Sequence, residues 1–276
     1  MPAARSGWLP EGGPVWLRSL RAGGTGGERV RGLNDAPGAP HGPEAVRTVL
    51  FDLDGTLVDS QAGIVEGFRR ATRAIGLSLG DDLLHQWIGP PLAGSLLGLG
   101  VAPADLARAL AAYREYYTAT GLYQAALYDG VLVMLEELRA AGVVLGVATA
   151  KVVDLAVAVT EHFGIRSYFD VICGAGPDGP VEKAYIVADA MAQLGRSWVA
   201  PAVVVGDRRY DMEAATANGL PGVGAAWGYG DIEELRDAGA SMLVSSPRDL
   251  AAVLLAAGPA PAGPAPAHGQ GRRSEG

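Results

Sequence analysis

Cysteine occurs once in the 276 residues, at Cys173, so an internal disulfide is excluded and a reducing, cytoplasmic setting is expected. That lone thiol, beside Ile172, reads as a small buried hydrophobe and receives no chemistry. Long apolar runs are also missing. None approaches the roughly 18–20 residues of a membrane span, and residues 1–46 lack the basic, then apolar, then small-residue order of a secretory signal. The net charge of −8 comes without any basic stripe interleaved with aromatics, so neither nucleic acid nor an anionic membrane surface is an expected partner. Lysine is nearly absent: of 22 basic residues only Lys151 and Lys183 are lysines and the others are arginines. Positive charge is otherwise delegated to arginine, which singles out these two positions.

What is present is a chain of 49% apolar and 19% charged residues, enough to bury one full core and a smaller second one. Residues 1–46 are rich in Gly, Pro and Arg without hydrophobic periodicity and are expected to form a disordered leader, which translation from Val46 would omit. Residues 257–276 form a Pro/Ala tail of the same kind. Between them, TVLF (48–51), VVLGVAT (143–149), DVIC (170–173), AVVVG (202–206) and GVGAA (222–226) read as strands. Their near-continuous hydrophobicity is that of parallel strands covered on both faces. Helical patterns lie between them, several closing on a glycine suited to a C-terminal cap. A doubly wound α/β core over 47–66 and 128–256 follows. From 67 to 127 there is helical patterning and no convincing strand, too long for a loop and long enough for an inserted helical subdomain that acts as a lid.

Parallel sheets bind ligands beyond the carboxyl ends of their strands. In VLFDLDGTLVDS (49–60), Asp52 and Asp54 stand at the end of the first strand; Thr149 ends the second, and Asp207 follows AVVVG directly. Carboxylates converging there repel one another unless a cation sits between them, and an oxygen-liganded ion such as Mg²⁺ suits that set. An aspartate can also attack phosphorus, given a proton donor, donors for the phosphoryl oxygens and a metal to offset charge. Asp52, Asp54, Thr149 with Lys183, and Asp207 supply one candidate for each role. Taken singly, each has a structural reading. Asp54 and Gly55 suit a turn, Thr149 a local strand-end bond, Lys183 a solvated charge and Asp211 a helix N-terminal turn.

Taken together, DLDGTLVD, ATAK, Lys183 and GDRRYD resemble the four-motif set of the haloacid dehalogenase (HAD) superfamily, over roughly residues 47–250. The branch resembled carries a helical cap between the first strand and the next core helix, so the implied fold is a Rossmann-like α/β core with a parallel sheet and an inserted α-helical cap. The resemblance implies Asp52 as phosphoryl-accepting nucleophile and Asp54 as general acid and then base. It implies Asp52, Asp54 (through its main-chain carbonyl) and Asp207 around Mg²⁺, with Thr149 and Lys183 on the phosphate. Asp211 supports the metal or Lys183, while Gly55, Ala150 and the cap-loop Gly89 border the substrate.

An acid at Asp54 separates phosphatases and phosphomutases of this branch from halide-displacing members. WIGPPLAGSL, HFGIRSYFDVICGA and WGYGDIEEL further resemble phosphoglycolate phosphatases and 5'-nucleotidase-like members. Two departures touch substrate preference: Ala150 stands where relatives often have Ser or Asn, and GAGPDGPVEK (174–183) is one residue shorter than related loops. The expectation is a Mg²⁺-dependent phosphatase of a small phosphate ester, monomeric or homodimeric. A β-phosphoglucomutase-type mutase is the enzymatic alternative and a noncatalytic phosphate-metabolite sensor the non-enzymatic one.

Overall fold

A computed structural model describes residues 45–176 and 182–256. The expected leader up to residue 44, the expected tail from residue 257 and residues 177–181 of the shortened loop lie outside the described residues. Strands β1 (Thr48–Phe51), β4 (Val144–Val152), β5 (Val171–Ala175), β6 (Ala202–Gly206), β7 (Gly222–Ala225) and β8 (Met242–Val244) form one parallel sheet in the order β5-β4-β1-β6-β7-β8. Strand β1 is buried at every residue, yet its side chains still alternate between two cores. Val49 and Phe51 join the larger hydrophobic cluster, and Leu50 joins a second one with Ile186, Val187, Val204 and Ala215. Both faces are therefore covered by helices, as the unbroken apolar strands imply. Cys173 is buried in the second cluster, where burial pushes its thiol up to about 12.

The sheet order places the site. From β1 the chain moves outward through β4 and β5, then returns to lay β6 on the other side of β1, which opens a crevice at the carboxyl edge of these strands. Phe51 is in register with both Val147 and Val205. Asp52, Thr149 and Asp207, one or two residues further on, consequently reach the same edge.

Three features depart from the expectation. Strand β8 was not anticipated, because a three-residue edge strand is too short to show a hydrophobic run. Strand β4 continues past Thr149 to Val152, with an irregular register against β5 between Ala148 and Val152. Gly174 permits this: a Cβ there would stand 2.5 Å from the Lys151 carbonyl oxygen. The expected cap boundary after residue 66 falls inside one helix, α1 (Gln61–Ala74), which runs through it unbroken. Just outside this helix, β2 (Val58–Asp59) pairs antiparallel with β3 (Ala126–Leu127), so the outgoing and returning chains cross side by side.

The insert consists of α1, α2 (Asp81–His85), α3 (Leu92–Gly98) and α4 (Leu106–Ala119), with α1 packed along α4. Gly89, Pro90 and Pro91 connect α2 to α3 and border the crevice. Core helices α5 (Val131–Ala140), α6 (Val153–His162), α7 (Lys183–Leu194), α8 (Arg209–Ala217), α9 (Ile232–Asp237) and α10 (Pro247–Leu255) complete the described chain. None of the described helices is long and apolar enough to cross a membrane.

Helix α5 is one-sided: Leu135 is fully buried while Leu132 is 44% exposed. We expect Leu135→Ala to cost about 2–5 kcal/mol by loss of packing and an unfilled cavity, and Leu132→Ala to stay within about 0.5 kcal/mol. Urea denaturation of the two variants checks this, and equal losses would contradict the placement of the helix.

Candidate active site

Asp52 leaves β1 with one carboxylate oxygen accepting the Leu53 N–H at 2.7 Å and the other 2.5 Å from Lys183 Nζ. Lys183 is the first residue of α7, the end of a helix that disfavours a cation. Its ammonium extends back to the sheet edge and lies 2.5 Å from Asp211 Oδ1 as well as against Asp52. Burial opposes its charge, but the Asp211 and Asp52 carboxylates outweigh that and raise its pKa above the ordinary range.

Asp211 lies in the first turn of α8 and accepts the Arg208 N–H at 3.1 Å, so its helix-capping role and its contact with Lys183 coexist. Asp207 is fully buried. Its two oxygens accept from Thr56 Oγ1 at 3.1 Å and from the Tyr229 N–H at 2.8 Å. Gly55 gives Asp207 its room. With φ at +83°, a conformation that favours glycine, it would carry a Cβ only 2.2 Å from Asp207 Oδ2. Gly55 thus acts behind the carboxylate and is not among the residues lining the crevice.

One oxygen from each of Asp52, Asp207 and Asp211 lies within 4.8 Å of the others. Three carboxylates face one ammonium there, an excess of negative charge in a buried place. Asp211 Oδ1 is buried, and its close partner is the Lys183 ammonium, in an ion pair. Three hard carboxylate oxygens sharing one ammonium fit a divalent cation of the Mg²⁺ type. The converging side chains include Asp211, which was expected only to support the site, while the carboxylate of Asp54 turns elsewhere.

Asp54 is held by three donor contacts. Lys151 Nζ donates to both its oxygens, at 2.9 and 2.7 Å, and Ser60 Oγ donates to Oδ1 at 2.6 Å. Lys151 is buried and also donates to the Tyr117 hydroxyl at 2.7 Å, so a core strand, the acid and the cap meet at one ammonium. Ser60, at the cap crossing, donates its N–H to the Tyr229 hydroxyl at 2.7 Å, and that hydroxyl donates to Asp59 at 3.1 Å. Tyr229 therefore spans from Asp207 to the crossing. A second core-to-cap contact comes from Arg208, whose guanidinium binds Glu234 Oε1 at 2.9 Å and donates to the Ile88 carbonyl, next to Gly89.

Thr149, Ala150 and Gly89 line a cavity of about 550 Å³ between core and cap, together with Asp52 and Asp54. Lys151, noted for its rarity and as the last residue of ATAK, received no role from sequence reasoning, nor did Tyr117, Ser60, Arg208 and Tyr229. The signal for Tyr117 was available: Tyr113 and Tyr117 are four residues apart, on one face of a helix.

Asp52, Asp54 and the carboxylate cluster, on an α/β scaffold with an inserted helical cap, form an arrangement suited to phosphate-ester chemistry. Residues 49–225 match the model of the haloacid dehalogenase-like hydrolases, and the chain belongs to that family. It is 42% identical over 189 residues to the tyrosine-protein kinase PtkA of Mycobacterium tuberculosis, a match covering 68% of this chain and 64% of that protein, less than two thirds of its length. It is 34% identical over 191 residues to a 5'-nucleotidase of Pseudomonas aeruginosa, covering 68% of this chain and 86% of the relative; phosphoglycolate phosphatases are among the other relatives. The crystal structure of a predicted phosphatase from Clostridium acetobutylicum superposes with a TM-score of 0.73 at 34% identity, covering 77% of this chain and all of the other.

Burial, followed by the neighbouring Asp211 and Asp52 carboxylates, pushes Asp207 up to about 8. A carboxyl whose folded pKa exceeds its unfolded value near 3.8 binds its proton more tightly in the folded state. The metal-free protein is therefore expected to lose stability as pH rises from about 4 to about 8, and Mg²⁺ to restore more of it at the upper end. Thermal midpoints with EDTA and with Mg²⁺ across that range check both signs; an EDTA series flat in pH would count against the buried cluster.

Proposed function

We propose that this protein is a Mg²⁺-dependent phosphatase of a small phosphorylated metabolite, working through an aspartyl-phosphate intermediate. The observation that carries the reading is Asp52: an aspartate that opens onto a 550 Å³ cavity, with one oxygen fixed by a backbone N–H and the other by a buried lysine. The relatives' names offer phosphoglycolate and nucleoside monophosphates as candidate substrates.

In the first step an Asp52 oxygen attacks phosphorus, the ester P–O bond breaks, and the leaving oxygen takes a proton from Asp54. Asp54 begins this step protonated, so Lys151 or Ser60 must release one of its oxygens. In the second step Asp54 takes a proton from water, the water oxygen attacks phosphorus, and the bond to Asp52 breaks to give phosphate. Lys183 keeps a positive charge beside Asp52 throughout, and the Thr149 hydroxyl faces the phosphoryl oxygens. When bound among Asp52, Asp207 and Asp211, with the main-chain carbonyl of Asp54, Mg²⁺ supplies charge compensation for the phosphoryl group and the carboxylates. The cap excludes bulk water during the first step and admits it for the second.

The PtkA relatives carry a name that denotes phosphoryl transfer to tyrosine. Asp52→Asn is expected to lower Mg²⁺-dependent phosphate release by at least ~10³-fold while the variant still folds and unfolds in one cooperative transition. Phosphate assays over phosphoglycolate, nucleoside monophosphates, sugar phosphates and a phosphotyrosine mimic provide the readout. Wild-type rates in the variant would remove Asp52 from the scheme. Transfer of labelled phosphate to a tyrosyl hydroxyl without release of phosphate would replace a phosphatase with a kinase.

A further inference from the structure

Resting on the phosphatase reading above, we propose that the cavity takes esters whose leaving group is an uncharged, apolar ring, and that it discriminates against a leaving group bearing a second anion. The cavity's volume of about 550 Å³ is ample for a ring and leaves a two-carbon acid such as glycolate surrounded by unfilled space. Its walls away from the carboxylates are built from Ile64, Leu92 and Leu110 on the cap side and from Val152 and Leu155 on the core side. Tyr113 and Tyr117 also line it, their rings 5.2 Å apart and inclined by only 22°, as a stacked pair.

Charge points the same way. Among the described lining residues four are charged: Asp52, Asp54, Lys151 and Arg114. Neither carboxyl group attracts a second anion on the substrate, and the charge of Lys183 is already taken by Asp52 and Asp211. Lys151 is already engaged by the Asp54 carboxyl group and by the Tyr117 hydroxyl, so an anion must compete with both for it. Arg114 is exposed, and a water-facing guanidinium adds little to an ion pair. An anion placed among these walls exchanges its hydration for aliphatic and aromatic carbon, whereas an uncharged ring gains burial at no such cost.

The test compares three esters that all release a primary alcohol, so that leaving-group reactivity is closely matched: benzyl phosphate, 4-carboxybenzyl phosphate and phosphoglycolate, each with the full chain and Mg²⁺. The expected kcat/KM for benzyl phosphate exceeds that for each of the other two at least tenfold. Leu110→Lys, which sets a cation into the cap wall, is expected to shrink the benzyl-to-phosphoglycolate ratio at least fivefold, with retention of fold checked by its thermal midpoint. Phosphoglycolate or the carboxybenzyl ester equalling benzyl phosphate overturns the inference and leaves the phosphatase reading standing. No Mg²⁺-dependent release from any ester overturns the phosphatase reading and the inference with it.

Discussion

One buried ammonium, that of Lys183, stands among three carboxylates at the end of the central strands. Everything at that edge follows from the imbalance. Carboxylates removed from water must be compensated, and Lys183 compensates two of them while its own charge is kept by the same pair. The third, Asp207, is steadied by a hydroxyl and a backbone N–H and still titrates far above an ordinary aspartate. An arrangement so short of positive charge is poised to accept a cation and, beside it, the oxygens of a phosphoryl group.

Asp54 lies in a different environment. Asp54 is two residues from Asp52 but belongs to a chain of contacts that runs from Lys151 to the cap residue Tyr117, and from Ser60 to Tyr229. Tyr229 also touches Asp207, so the loop after β6, the cap crossing and the acid are mechanically joined. Arg208 adds a separate tie from the residue after Asp207 to the α2–α3 connection. Movement of the cap thus cannot leave either Asp54 or the carboxylate cluster undisturbed.

Much of this was legible in the sequence because it is local or periodic. The apolar strands gave the sheet, and Asp52, Thr149 and Asp207 fall at strand ends by counting along the chain. Lys183 was visible as a rare lysine in an unfavourable helical position. What sequence could not show depends on approach across the fold. Asp54 was expected to reach the metal through its main-chain carbonyl, and nothing local foretold that its carboxylate meets Lys151, at the end of a β4 that Gly174, far along the chain, lets run past Thr149. Asp211 joins the cluster because a helical turn aims it there. The three-residue strand β8 has too few residues to reveal a pattern.

The place of the cap in the chain also bears on how the protein assembles. Strand β1 pairs with β4 and β6, both of which follow the whole insert in sequence. During synthesis the first strand therefore emerges long before either neighbour exists, carrying unpaired backbone groups on both edges, a state prone to misassociation. The cap helices make contacts close in sequence and can form while it waits. With β2 and β3 pinning the ends of the insert together, the folded cap brings the arriving β4 back to β1, shortening the loop that the central sheet must close. The inserted helices would then also serve as a scaffold for the nascent core.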